Sequence, residues 1–149
     1  MAVIHYVAVL LGLFFIFAGT IKVVPINPGG QGYDFMMKEF ERFATVSPLK
    51  LVGVNLSPHL YCALVGLVEV ICGTLIAFGR YPYRFLSCLD IIIIMIGAVY
   101  TLFALGEPLP HMIPALVCGT VALMVVIFRD GLDGRPSKKS GSSSKSKQT

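Results

Sequence analysis

The chain has 149 residues, of which 56% are hydrophobic and 13% are charged, about half the charged share that is usual in globular proteins. A chain of this length buries too little surface to hide so many apolar side chains in one soluble core, so a lipid environment is expected. The net charge of +4 arises largely in the basic segment from Arg135 onward, which argues against a nucleic-acid-binding surface. The composition therefore indicates a small integral membrane protein.

Four long apolar segments predict four membrane-spanning helices. Their approximate bounds are 3–24, 60–78, 85–105 and 112–128. Each is near the roughly 20 residues that cross a hydrocarbon core of about 30 Å. The first segment lacks a preceding basic region and exceeds the roughly 7–15 apolar residues of a signal peptide, so we expect it to be retained as a span. The predicted organisation is a four-span domain over residues 1–130 and a disordered basic cytosolic tail over 131–149.

The connection between the first two spans, residues 25–57, contains a predicted amphipathic helix. Over residues 33–46, Met and Phe recur at helical spacing and charged residues fill the remaining positions. Such a helix is expected to rest on the lipid interface or on the rim of the bundle. Two interpretations stay open: a structural lid, or a partner-docking surface, since Met and Phe adapt to varied surfaces. The candidate partner-binding residues are Met36, Met37, Phe40 and Phe43.

The basic residues predict the orientation in the membrane. Arg80, Arg84, Arg129 and the basic tail fall on the side that holds both termini of a four-span chain. The basic residues on the other side are accompanied by acidic ones. The positive-inside rule therefore predicts that both termini are cytosolic and that residues 25–57 are lumenal.

Glu69 lies half-way along the second span and is the most unusual residue of the spans. A carboxylate at that depth costs about 2–3 kcal/mol or more, so it should face the bundle and find a partner. Lys22, near the end of the first span, is the nearest candidate cation, and Asp90 in the third span could pair with Arg84 or Arg80. The predicted intramembrane polar site, Glu69, Lys22 and Asp90, is either a clamp that holds helices together or a proton-relay or ligand site.

Small residues that permit close helix approach recur along the spans, namely Gly12, Gly19, Gly66, Gly73, Gly97, Ala115 and Gly119. The four cysteines, at positions 62, 72, 88 and 118, contain no Cys-x-x-Cys pair of the kind used in thiol exchange. The histidines have no zinc-ligand spacing, and no phosphate-binding glycine loop or nucleophilic serine motif is present. We therefore expect neither a bound metal nor a cofactor.

The end of the tail carries a candidate retrieval signal. Lys145 and Lys147 occupy the fifth and third positions from the end. This arrangement resembles the dilysine signal of endoplasmic-reticulum membrane proteins, which coat proteins read on a cytosolic tail.

Several stretches together resemble the NACHO, or transmembrane protein 35, family. They are Leu11 to Lys22 followed by Pro25, Pro48 to Lys50, Gly53, the pattern Gly66-x-x-Glu69-x-x-x-Gly73, Gly97 to Gly106, and Ile113 to Gly119. The resemblance covers roughly residues 8–128, in order and with matching spacing. The first stretch is more similar to NACHO itself, and the later ones are more similar to the second vertebrate branch.

The resemblance implies an all-α, DoxX-like four-helix membrane protein of the endoplasmic reticulum that is a chaperone and not an enzyme. It implies nicotinic acetylcholine receptor subunits, or related receptor subunits, as partners, besides the lipid bilayer and coat proteins at the tail. The family branch, the client and a homodimer stay open. The alternative is a small membrane redox or quinone-linked enzyme of DoxX type, against which the missing thiol pair argues.

Overall fold

The computed structural model describes residues 2–24 and 30–128, and this part of the chain folds into helices joined by short connections. The helices are α1 (Ala2–Val23), α2 (Gln31–Val46), α3 (Pro48–Leu51), α4 (Pro58–Phe78), α5 (Tyr83–Ala104) and α6 (Leu109–Ile127). Four of them, α1, α4, α5 and α6, are long and apolar enough to cross a membrane, with mean hydropathy of 2.0 to 2.2. The predicted all-α membrane fold with four spans is confirmed.

Spans α4, α5 and α6 begin two or three residues earlier than the apolar pattern indicates, and in α4 and α6 proline occupies the first turn. α4 begins at Pro58 rather than near residue 60, and the Ser57 hydroxyl accepts a hydrogen bond from the backbone N–H of Leu60 at 3.4 Å. α6 begins at Leu109, with Pro110 in its first turn. Proline has no N–H, and the first turn of a helix leaves its N–H groups unpaired in any case, so proline starts a helix there instead of breaking it.

The four spans form an antiparallel bundle in which each packs against its neighbours. α4 lies between α1 and α5, while α6 packs against α5 and also contacts α1. The beginning of α1, the α4–α5 turn and the end of α6 therefore lie at one end of the bundle. The opposite end carries α2, which packs against α4 and α5, and the short helix α3, which contacts α5.

Four glycines allow the backbones of α1 and α4 to lie in direct contact. A Cβ atom added to Gly12 would lie 2.5 Å from the Gly73 carbonyl oxygen, and one added to Gly73 would lie 2.6 Å from that of Gly12. About two helical turns further along α1, Gly19 faces Gly66 of α4 in the same way. Real side chains do not fit at these distances, so the predicted role of small residues in close helix approach is confirmed at these four positions.

Two buried apolar clusters fill the bundle at different levels. The larger lies toward the α1 N-terminus and contains Ala8, Leu11, Phe15, Cys72, Ile76, Cys88, Ile91, Ala122 and Val125. The smaller lies beneath α2 and contains Met37, Phe40 and Cys62. Lys22 and Glu69 lie nearer the α2 end.

Candidate functional site: a buried ion pair beneath an interfacial helix

Glu69 and Lys22 form an ion pair inside the bundle. The Lys22 ammonium donates to Glu69 Oε2 at 2.5 Å, and the Glu69 side chain is only 5% exposed while that of Lys22 is 20% exposed. Lys22 reaches Glu69 across Gly66, since a Cβ atom at Gly66 would lie 2.6 Å from the Lys22 Cβ. The absence of a side chain at Gly66 thus leaves the path along α4 that the lysine stem occupies.

Asp90 is not part of this pair, and its expected partner is engaged elsewhere. Asp90 is exposed, and its Oδ2 lies 4.0 Å from Cys72 Sγ. Arg84 Nε donates to the backbone carbonyl of Ile76 at 3.1 Å, so the arginine satisfies one of the carbonyls that the end of α4 leaves unpaired. Within residues 2–24 and 30–128, Asp90 forms no ion pair with Arg84 or Arg80, and the predicted pairing is wrong.

The apolar face of α2 is already packed against the bundle. Met37 and Phe40 are buried, and Met36 and Phe43 are half-buried around the same cluster. The Phe40 ring stands edge-on to Tyr61 of α4, with centroids 5.7 Å apart. In this structure Met37 and Phe40 are therefore core residues and not a free docking surface, because their side chains pack against apolar residues of α4. This packing favours the structural lid over the docking surface, and a docking role for the four candidate residues stays a prediction.

A cavity of about 410 Å³ lies between α2 and α3 on one side and α4 and α5 on the other. The Lys22–Glu69 pair contributes to its wall, together with the polar side chains Tyr61 and Thr101. The rest of the lining is apolar, and the small residues Gly97 and Ala98 leave the space on the α5 side. The sequence pattern did not predict this cavity, although two adjacent small residues in the middle of a span are a weak signal of it.

A second charged cluster ties α2 to the turn between α5 and α6. Arg42 of α2 donates to Glu107, and His111 Nδ1 lies 2.8 Å from the other carboxylate oxygen of Glu107. The hydrogen bond from Arg42, followed by that from His111, lowers the pKa of Glu107 below its ordinary value. The hydrogen bond with Glu107, assisted by Glu39, raises the pKa of Arg42. Arg42 and Glu107 therefore both stay charged at neutral pH. We refer to Arg42, Glu107 and His111 as the α2 latch.

The remaining candidates from the sequence are the cysteines, the possible metal ligands and the retrieval residues. The four cysteines are all free thiols. No group of three or more His, Cys, Asp or Glu residues is placed to hold a metal ion in the described ranges 2–24 and 30–128. The retrieval residues Lys145 and Lys147 lie outside the described residues.

Comparison with known proteins connects the chain to one group of relatives. No family model matches the sequence. Three similar proteins, each described as a novel acetylcholine receptor chaperone, come from Xenopus tropicalis, Mus musculus and Bos taurus. The frog protein is 30% identical over 89% of this chain and 81% of its own length. The mouse protein is 27% identical over 89% and 78%, and the bovine protein is 26% identical over 91% and 75%.

These matches extend over about nine-tenths of the chain, 89% for the frog protein and 91% for the bovine protein. On this evidence the chain belongs to the family of the novel acetylcholine receptor chaperone.

Proposed function

We propose that this protein is an endoplasmic-reticulum membrane chaperone that promotes the folding and assembly of nicotinic acetylcholine receptors or of related pentameric receptor subunits. The observation that carries the proposal is the 30% identity to the frog chaperone over 89% of the chain. The four apolar spans support it, because a protein embedded in the bilayer can reach the membrane helices of an unassembled subunit.

The proposed mechanism is transient cover of subunit surfaces within the bilayer. Much of the outer face of the spans is apolar and exposed, for example Phe17 of α1, Phe103 of α5 and Ile127 of α6. Such side chains can pack against a subunit helix until a neighbouring subunit replaces the chaperone. Since a chaperone must release its client, the contact should be modest in area and exchangeable.

We further propose a DoxX-like bundle with both termini in the cytosol and α2 on the lumenal side. The antiparallel helices support this orientation, since the turn that carries Arg80 lies at the same end as the beginning of α1 and the end of α6. Basic residues accumulate on the cytosolic side of membrane proteins. Coat proteins that read Lys145 and Lys147 would then return the protein to the endoplasmic reticulum.

The direct test is co-expression with receptor subunits in cultured cells. We expect the protein to raise the amount of assembled receptor at the cell surface, measured by binding of a labelled ligand to intact cells. A panel of nicotinic subunits and subunits of other pentameric receptors would identify the client. Cells with empty vector are the control. An unchanged surface signal for every subunit, at verified expression of the folded protein, would contradict the proposal.

The redox alternative has a separate readout. A membrane oxidoreductase that uses a tightly bound flavin, haem or quinone purifies with that group, which absorbs light at characteristic wavelengths. The absorbance spectrum of the protein purified in mild detergent would show such a group, and a stoichiometric chromophore would favour the enzyme over the chaperone.

A further inference from the structure

The cavity beneath α2 combines an apolar wall with a single charged feature, the Lys22–Glu69 pair. We propose that it binds a lipid alcohol, a neutral amphiphile with a hydroxyl head and an apolar body, whose hydroxyl lies on the Lys22–Glu69 pair. This inference goes beyond the chaperone function and does not depend on it.

The charge of the pair indicates a neutral head group. Lys22 and Glu69 carry opposite charges and neutralise each other across 2.5 Å. A cationic or anionic ligand would leave one charge uncompensated at a site where Glu69 is 5% exposed, which is costly in a low-dielectric interior. A ligand without net charge avoids that penalty.

The hydrogen-bonding capacity of the Lys22–Glu69 pair indicates that the head group of the ligand is a hydroxyl. An ammonium has three donors and no acceptor, and a carboxylate has two acceptor oxygens and no donor. Among the described residues, the pair forms one side-chain hydrogen bond, from Lys22 Nζ to Glu69 Oε2. A hydroxyl can accept from the ammonium and donate to the carboxylate at the same time, whereas a ketone or an ester can only accept.

Of the two other polar side chains in the wall, Tyr61 and Thr101, the threonine is already engaged within its own helix. The Thr101 hydroxyl already donates to the Gly97 carbonyl at 2.8 Å. The remaining wall is formed mainly by aliphatic and aromatic side chains, which suit a hydrocarbon body.

The size and position of the cavity fit entry from the bilayer. Its volume of about 410 Å³ lies within the roughly 300–1,000 Å³ of small-molecule sites. Two of its lining residues, Leu49 of α3 and Ile93 of α5, are also exposed on the outer surface of the bundle. The rim at Ile93 belongs to a membrane-spanning helix, so an apolar body can enter from the lipid while its head reaches the ion pair.

The first experiment compares alcohols with a matched ketone on the purified wild-type protein in detergent. The probes are cholesterol, monooleoylglycerol and cholest-4-en-3-one, and binding is measured by scintillation proximity with the radiolabelled compounds. We expect at least one alcohol to bind, and whichever binds identifies a sterol or an acyl-chain source. If the sterol binds, the ketone should bind at least about tenfold more weakly, because one hydrogen bond to a charged group is lost. Equal binding of sterol and ketone, or no binding of either alcohol, would overturn the proposal.

A matched pair of substitutions on α5 locates the site. Ala98 lines the cavity, whereas Ala104 is exposed and lies outside it. Ala98→Leu should fill the space and reduce binding of the alcohol at least about tenfold, and Ala104→Leu should bind like wild type. Equal binding by two folded variants would contradict the location.

Photolabelling of the wild-type protein keeps the test independent of variant stability. A diazirine analogue of the alcohol that binds should label peptides of α4 and α5 around Val65 and Ile94, in competition with the unlabelled alcohol. Competable label confined to the outer α5–α6 groove, for example at Leu116 and Leu123, would place the ligand elsewhere and overturn the assignment.

Discussion

A carboxylate at the middle of a membrane-spanning helix is tolerated here because its charge is matched within hydrogen-bonding distance. Glu69 is 5% exposed, and the Lys22 ammonium lies 2.5 Å from one of its oxygens. Gly66 permits the approach, since its missing side chain leaves room for the lysine stem. The pair joins α1 to α4 near the α2 end, in line with the glycine contacts between the same helices.

The first prediction concerns the strength of this clamp. Glu69→Ala should destabilise the bundle by about 3 kcal/mol, because it leaves the Lys22 charge partly buried without a partner. Glu69→Gln should cost less, since the amide still accepts a hydrogen bond. Replacing Lys22 by Met in addition to Glu69→Ala should cost less than the sum of the single changes, by about 1 kcal/mol or more. Thermal unfolding in detergent is measured for the wild type, the three single variants and the double variant. Additive losses would argue against an interacting pair.

The same variants separate a structural role from a client contact. If Glu69 contacts a receptor subunit, Glu69→Gln should melt like wild type and yet fail to raise surface receptor. If the residue is only a clamp, assembly should fall in proportion to the amount of folded protein. If Glu69→Gln melts normally and also supports normal assembly, Glu69 is neither an important clamp nor a client contact.

The second prediction concerns the retrieval signal. Replacing both Lys145 and Lys147 with Ser should allow the protein to reach the Golgi and the cell surface, because coat proteins would no longer read the tail. The matched control replaces Lys138 and Lys139 with Ser, which removes the same charge farther from the end. Localisation is followed by fluorescence microscopy and by glycan maturation on an engineered lumenal sequon. Reticular localisation of both variants would assign retention to another part of the protein.

At the scale of helix pairs, the third prediction tests the backbone contact between α1 and α4. Gly73→Ala places a methyl group 2.6 Å from the Gly12 carbonyl oxygen, so the helices must separate. We expect a loss of about 1–3 kcal/mol, as for other overpacked interiors. Gly119→Ala is the control, since its nearest neighbour is the Met95 Cβ at 3.4 Å, an ordinary contact. Equal melting temperatures of the two variants would show that the contact is not close.

The fourth prediction concerns the α2 latch. Glu107→Gln removes the carboxylate that Arg42 and His111 contact, so α2 should open more often from α4 and α5. Hydrogen–deuterium exchange at neutral pH should increase in peptides that cover α2 and remain unchanged in α1. Glu41→Gln changes the same type of side chain at an exposed position of α2 and should exchange like wild type. Faster exchange of α2 in the Glu41 variant alone would be inconsistent with the latch.

The latch also predicts a pH dependence with a defined sign. Because Arg42 lowers the pKa of Glu107, the stabilisation is present above the ordinary carboxyl pKa of about 4.3 and is lost as the pH falls through the lowered pKa of the folded protein. The melting temperatures of wild type and Glu107→Gln should therefore differ at pH 6, and the difference should shrink as the pH falls below the ordinary carboxyl pKa. If the difference in melting temperature persists at the lower pH, it has a cause other than the ionisation of Glu107.

At the scale of the whole molecule, the fifth prediction tests orientation. A glycosylation sequon engineered near Gly30, in the connection that precedes α2, should be modified in the endoplasmic reticulum, whereas one added to the tail should not. The natural sequence Asn55-Leu56-Ser57 should stay unmodified, because Pro58 follows it and Ser57 caps α4 next to the membrane. Glycosylation is detected by the change in gel mobility after enzymatic deglycosylation. If only the tail sequon is modified, the orientation is the opposite of the one predicted.

The sequence by itself determined the features that depend on local apolar content. Four spans follow from runs of apolar residues near the thickness of a bilayer, and α2 follows from helical spacing of Met and Phe between charges. The sequence also identified Glu69 as a residue that needs a partner, and the glycines as candidates for close approach. These inferences succeed because burial of apolar groups and the cost of a charge in lipid are set by composition and spacing.

Only the tertiary structure decided which groups meet. Arg84 bonds the Ile76 carbonyl instead of Asp90, since the end of α4 leaves that carbonyl unpaired. Arg42 contacts Glu107, 65 residues away along the chain, and α2 and α3 stand away from α4 and α5 far enough to leave the cavity. Such contacts depend on the distance and rotation of helices relative to one another. Those quantities are the joint outcome of packing over the whole bundle, so no local pattern of residues specifies them.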